Sequence, residues 1–326
     1  MIRMDIAIDL EYQVLEPAEF IFKIHAADTR RQKVAHSQLT ITPDTPFMVQ
    51  PCRAFGNQHL RLHAVPGPLN INYSATIEIN HYLADPAELQ ELPVEQLPID
   101  VLQYLAPSRY CPSDKFFQVA LAGFGHMPKG YSRVQAVCDW VRKHTRFQPG
   151  TTTSLNCAMD TYNEGVGVCR DFAHLAIALC RALNIPARYV TSFDHGSDPA
   201  FGPPDFHAYV EVYLSGRWYM FDPTGMATVT GLVRLATGRD ANDVAFSTIF
   251  GQAMWTMPKV STLAREDVNA GIIVPAPTDM AVSTSGAVND RQAQPSTAQT
   301  ERGFSTSWYQ PPQVVVPTLT ENAKAL

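Results

Sequence analysis

A chain of 326 residues with 45% hydrophobic side chains is long enough for two modest domains and a sizeable buried core. Its formal charge of −6, with no basic cluster denser than Arg30–Arg31 or Arg142–Lys143, excludes a dedicated nucleic-acid surface. No apolar run approaches the roughly eighteen residues of a membrane span, and the opening MIRMDIAIDLEYQV lacks the apolar stretch of a signal peptide, so a cytoplasmic location is the expectation.

Residues 1–84 read as strands. DIAIDLEYQV, EFIFKIHA, HSQLTITP, NQHLRLHAV and LNINYSATIEINHY alternate apolar and polar residues, with Pro43, Pro66, Gly67 and Pro68 between them. This pattern predicts an antiparallel β-sandwich without a chemical cluster inside it. Residues 85–112 hold five prolines and read as a connecting segment. Helical periods take over from 113. Ser113 is the expected N-cap of SDKFFQVALAGFG, and Ser132-x-x-Gln135 has the form of a capping box for SRVQAVCDWVRKHTRF. Three further alternating runs, PARYVTSF, HAYVEVYL and RWYMFD, follow a long helix. Helices and then strands over 113–270 predict an α+β domain. Residues 271–326 are rich in Ser, Thr, Gln, Ala and Pro and read as a disordered tail, although WYQPPQVVVPTL near its end is apolar enough to dock on a surface.

The chemistry concentrates in GVGVCRDFAHLAIALCRALNIPARYV, residues 165–190. Arg170 to Leu183 contains no Gly or Pro, and Phe172, Leu175, Ala176, Leu179 and Leu183 form one buried stripe. Cys169 therefore stands at the first turn, where unpaired N–H groups and the positive end of the helix dipole favour a thiolate. Gly165 and Gly167 suit a backbone that a substrate chain approaches closely. A core cysteine behind a tight turn accounts for this helix equally well. The six cysteines show no CxxC spacing, so neither a metal site nor a disulfide framework is read, and Cys180, about 16 Å along the axis from Cys169, belongs to the core.

A nucleophilic thiol needs a base, and the base needs an orienting group. His174 lies five residues on, rotated about 140° to another face, and reads as structural. His207 opens the strand HAYVEVYL, and Asp222 ends RWYMFD. A hairpin around Ser215–Gly216 would make His207 and Asp222 cross-strand neighbours. Nucleotide binding is excluded: GVGV lacks the third glycine of a dinucleotide fingerprint, and GHMPKGYS has Tyr131 where a P-loop requires Lys.

GVCRDFAHLAIALCRALNIPARYV, HAYVEVYLSGRWYMFDPTG and GRDANDVAF, with DTYNEG before them, resemble the bacterial transglutaminase-like cysteine peptidase family. FGNQHLRL and INYSATIEI resemble the β-rich N-terminal domain that accompanies it, so the likeness spans about residues 7–260. The resemblance implies a papain-like or transglutaminase-like core with helices packed on an antiparallel sheet. It also implies a catalytic triad of Cys169, His207 and Asp222, a peptide or amide substrate, no cofactor, and a possible functional link to amide ligases. Tyr209 departs from the Trp common in the family and is expected to bear on substrate contacts. The implied activity is amide hydrolysis through an acyl-enzyme. Transfer of the acyl group to an amine, and a peptide-binding module without turnover, are the alternatives. The Cys169 N–H would form half of an oxyanion hole, with Asn156 or Thr153 as candidates for the other half. Arg170 and Asp171 are expected to serve the helix start and an ion pair.

Overall fold

The computed structural model describes residues 1–52, 56–195 and 206–286. Alternation in the opening residues produces β1 (Ile2–Val14), whose even-numbered side chains are all buried. It is followed by β2 (Ala18–Phe22), β3 (Gln32–Thr42), β4 (Phe47–Pro51), β5 (Gln58–Ala64), β6 (Gly67–Ile79) and β7 (Tyr82–Ala84). β1 and β6 pair antiparallel along their whole length, from Ile2 opposite Ile79 to Val14 opposite Gly67, and β3 lies beyond β6. β2, β5 and β4 form a second antiparallel sheet. Met4, Ile6, Ile8 and Leu10 from the first sheet and Phe20, Phe22, Leu60 and Leu62 from the second share one core, as in a sandwich.

The second half contains α1 (Ile99–Leu102), α2 (Phe117–Phe124), α3 (Tyr131–His144), β8 (Arg146–Phe147), α4 (Ala158–Glu164), β9 (Val166–Gly167) and α5 (Cys169–Ala182). Then come β10 (Ala187–Asp194), β11 (Phe206–Leu214), β12 (Arg217–Phe221), β13 (Leu232–Gly238) and α6 (Ala241–Val244). The four strands form an antiparallel sheet in the order β12-β11-β10-β13. α5 packs on β10 and β11 and is covered by α2, α3 and α4. No helix among the described residues is long and apolar enough to cross a membrane.

The single stripe expected on α5 understates its burial, since every residue from Asp171 to Arg181 is buried. Ala173, Ala178 and Cys180 occupy the remaining faces, and small side chains let neighbouring elements close around the helix. Arg181 is enclosed with it. Its guanidinium donates to the carbonyls of Ala187, Ala106 and Arg239 and to Ser108 Oγ at 2.6–3.1 Å, tying the helix end to three separate segments. Asn184, in the left-handed region at φ 61°, then turns the chain out of the helix ahead of Pro186.

Two expected caps are not made. Ser113 lies inside a 3-10 turn (Ser113–Phe116) that precedes α2, and α3 begins one residue before Ser132, after Gly130. Gly130 has φ 136°, and its N–H donates to Glu91, which also binds the buried Arg133. Gln135 bonds forward to Asp139 instead of back to the helix start.

The chain returns to the sandwich after α6. β14 (Ser247–Phe250) pairs with β2, while β15 (Ala253–Trp255) and β16 (Lys259–Arg265) both pair with β1. These short, half-exposed strands carry no clean alternation and were not expected. Residues 271–286, read from composition as the start of the tail, are built into the fold. β17 (Ala281–Ser283) pairs with β7, and Ala281 joins the α5 core. WYQPPQVVVPTL lies outside the described residues.

Phe193, Val233 and Leu235 belong to the sandwich core, although they sit on β10 and β13. The free edge of β13 is closed by two side-chain amides from the first half of the chain. Gln32 Nε2 donates to Arg234 O (2.8 Å) and Arg234 N–H to Gln32 Oε1 (2.9 Å). Asn57 repeats the exchange with Thr237 at 2.8 and 2.9 Å. Each amide stands in for a missing strand, satisfying a buried N–H and C=O together. Replacing Gln32 or Asn57 by Ala is expected to lower the unfolding free energy in urea by roughly 1–3 kcal/mol each, whereas Gln38→Ala, exposed on the same β3, stays within about 0.5 kcal/mol. Equal effects at all three positions would show that the edge needs no closing.

Candidate active site

The thiol is presented by local geometry that begins before α5. Gly165 adopts φ 64° to end α4, and its carbonyl accepts from Arg146 N–H. β8 and β9 then pair in parallel, with Gln148 N–H donating to Gly167 O at 2.9 Å. These bonds fix the two residues before the helix. Both glycines answer local geometry. Gly165 supplies the left-handed turn, and a Cβ on Gly167 would lie 2.7 Å from Asp171 Cβ. Gly167 therefore makes room for Asp171 to fold back over the helix start.

Asp171 has three bonds there. Oδ2 accepts from Val168 N–H (2.9 Å), while Oδ1 accepts from Thr152 Oγ1 (2.9 Å) and from Arg170 (3.0 Å). It caps the first turn and pairs with the adjacent guanidinium, which also reaches Asn156 O and stacks over Tyr110. Cys169 is the first helical residue and is partly exposed. Its own N–H has no acceptor among the described residues. Cys111, Cys138 and Cys180 are buried; burial pushes Cys111 and Cys180 up to about 12 and Cys138 well above its usual value. A thiol held that high is protonated and inert at neutral pH.

The hairpin forms around Ser215–Gly216, with Leu214 opposite Arg217 and Val210 opposite Phe221. Continuing this register sets Asp222 opposite Tyr209. His207 and Asp222 are thus diagonal neighbours across the hairpin. Their side chains meet: His207 Nε2–H donates to Asp222 Oδ1 at 3.2 Å. Cys169 lies close enough to the same imidazole to act with Asp222 in raising it. The structure therefore brings Cys169, His207 and Asp222 into one line of contacts.

Asp222 is buried and saturated. Oδ1 accepts from Thr224 N–H (3.0 Å) and Oγ1 (2.8 Å), and Oδ2 from Met226 N–H (3.1 Å) and Ala227 N–H (2.9 Å). Burial pushes this carboxyl up. The His207 charge and hydrogen bond, with the Ala227 and Thr224 bonds, outweigh burial and hold it below its usual 3.8. For His207, burial pushes the imidazole down, but Asp222 and then Cys169 more than offset it, leaving it well above 6.5. Both shifts favour the charged pair. Its stabilising effect is fully present between 3.8 and 6.5, fading below as Asp222 takes a proton and above as pH passes the raised His207 value.

Thr224 and the amides of Met226 and Ala227 were missed from sequence, although Asp-Pro-Thr-Gly carries the signal of a side-chain-stabilised turn. His174 is fully buried. It lies between the rings of Tyr110 and Tyr189 (centroids 5.1 and 5.0 Å), and its Nε2 accepts from Ala241 N–H. Burial, then Arg170 and Arg181, push it well below 6.5, so it is neutral and structural. Tyr209, expected to touch substrate, is instead completely buried with Val190, Met220, Leu232 and Val282 on a separate core. An aromatic ring is required there for packing. Thr153 N–H and Oγ1 both donate to Asn156 Oδ1, so these two oxyanion-hole candidates are engaged with each other. No group of three His, Cys, Asp or Glu among the described residues is disposed to hold a metal ion.

Residues 121–223 match the transglutaminase-like superfamily core, and residues 2–100 match the N-terminal domain of bacterial transglutaminases. A crystal structure of a candidate cysteine protease from Cytophaga hutchinsonii is 38% identical and superposes with a TM-score of 0.80, covering 86% of this chain and 97% of that one. The uncharacterized protein ML0607 of Mycobacterium leprae is 33% identical over 167 residues, which are 48% of this chain and 57% of that relative. The chain belongs to the transglutaminase-like superfamily, with the bacterial transglutaminase N-terminal domain ahead of its core.

Proposed function

We propose that this thiol-dependent enzyme hydrolyses amide bonds of peptide or isopeptide type through a Cys169–His207–Asp222 triad. The observation that carries the reading is one buried imidazole bonded to a saturated carboxylate, with a helix-start thiol beside it. His207 takes the thiol proton, and Cys169 attacks the carbonyl carbon. The Cys169 N–H, unpaired in the first turn, donates to the oxyanion. His207 then returns the proton to the leaving nitrogen, so an amine departs and a thioester remains. Acylation removes the negative charge of Cys169, one of the causes that keep His207 protonated. The imidazole is thereby released to act as base for water. The carboxylate holds ring and tautomer throughout, without needing a proton itself. Bonds of this kind are those an amide ligase makes, which suits an enzyme that works against or after one.

Acyl transfer to an amine is the second reading, because the thioester is common to both and only the acceptor differs. Trapping the acyl-enzyme from a peptide library and offering it water with or without a primary amine separates the two. The free acid is expected as the main product even with amine present; a dominant amide product would reverse the assignment.

Cys169→Ala is expected to abolish turnover with little loss of stability, since the residue is partly exposed. Cys180→Ala should cost on the order of 1–3 kcal/mol from the buried core and leave turnover nearly intact. Equal loss of activity in both proteins would displace Cys169 as nucleophile.

The histidines are separated by iodoacetamide labelling of Cys169 against pH, with the site confirmed by mass spectrometry. At about pH 6, labelling should be fast in the parent protein, slow in His207→Ala and intermediate in Asp222→Asn, whose turnover also falls steeply. His174→Ala should label like the parent, whatever its stability. A slow His174 variant beside a fast His207 variant would sink the mechanism.

A further inference from the structure

The face of the β10–β13 sheet that holds Tyr209 carries a second cluster of charge, apart from the triad. Arg188 from β10, Glu211 from β11 and Arg234 from β13 share this face, while Arg217, opposite Leu214 at the start of the edge strand β12, reaches the same strap from the other side. Arg188 and Glu211 are directly paired across the strands, with Arg188 Nε donating to Glu211 Oε2 at 2.7 Å, and Arg234 approaches Oε1 at 3.5 Å. Two guanidiniums, ionised at any working pH, thus face one carboxylate.

All three arginines converge on Ser285. Its hydroxyl accepts from Arg188 (3.2 Å) and Arg234 (3.1 Å), and its carbonyl from Arg217 (2.6 Å). Arg188 lies over the Trp218 ring and Arg217 over Tyr82, at 4.2 and 4.1 Å, so aromatic plates fix both forks in place. Arg234 Nε is buried without a partner. A neutral hydroxyl is a weak acceptor for converging cations, and it leaves donors unused. A tetrahedral oxyanion with several acceptor oxygens would satisfy the forks and neutralise the excess charge.

We infer that Arg188, Arg217 and Arg234 form a binding site for a phosphate-type anion, in which the Ser285 side chain now stands. Ser285 lies two residues beyond β17 and is itself buried, so the anion would take the place of its side chain.

The test is thermal unfolding of the full chain in rising sodium phosphate, against sodium chloride of matched ionic strength. Phosphate alone should raise the midpoint in a saturable way. Ser285→Gly, which removes the competing hydroxyl, should reach half-saturation at lower phosphate. Arg234→Gln should need about tenfold more, as expected when one charge-assisted bond is lost. Arg217→Gln, at a less enclosed side chain, provides the same reading should Arg234→Gln fold poorly. Glycerol phosphate tells a free ion from the head of an ester: a shift with inorganic phosphate alone assigns the free ion, and a shift with both assigns the phosphate group of a larger ligand. Identical curves in phosphate and chloride, or equal phosphate shifts in the parent and both arginine variants, would overturn the site.

Discussion

Enclosure of α5 on every side is the constraint from which the rest of the molecule follows. A helix buried along its length satisfies its own backbone, but every polar side chain on it must find a partner inside the protein. Arg181 answers this by capping carbonyls from three segments, and His174 by staying neutral between two rings. Asp171 turns back on its own first turn, which only Gly167 leaves room for. With the barrel of the helix closed, its amino end is the place where a side chain can meet both solvent and the sheet. Cys169 occupies that place.

The same requirement explains why the two halves share a core. A four-stranded sheet covered by helices on one face still has an edge, and β13 leaves donors and acceptors along it. Gln32 and Asn57 satisfy them from the sandwich, while Phe193, Val233 and Leu235 enter the sandwich core in return. β14, β15 and β16 continue the exchange by adding strands to the first two sheets. The sandwich therefore acts as the structural border of the β10–β13 sheet.

What could be read in the sequence was what repeats or punctuates. Period-two alternation marked β1, β6, β10 and β11, and the helix before Asn184–Pro186 was plain from its unbroken run. The order Cys, His, Asp was equally plain, and these residues do meet. Long-range side-chain pairing was not legible. Nothing local distinguishes Gln32 or Asn57 from surface amides, β14 and β15 are only four and three residues long, and β16 alternates in burial while Thr262 and Leu263 break the pattern in its sequence. The caps at Ser113 and Ser132 failed because Gly130 and the preceding prolines let other groups start those helices. Tyr209 misled for a related reason: its neighbour in sequence lines the site, while tertiary packing takes its ring to a different core.

The turn that saturates Asp222 has a bearing on how the site is assembled. Its acceptor bonds reach only two to five residues along the chain, to Thr224, Met226 and Ala227. Closing loops of that size costs little entropy, so the carboxylate is oriented by its own segment as soon as the hairpin end forms. Bringing it to the thiol spans the 53 residues from 169 to 222 and waits for the sheet to dock on α5. The carboxylate is thus oriented by local bonds, whereas its contact with the α5 end depends on one long closure.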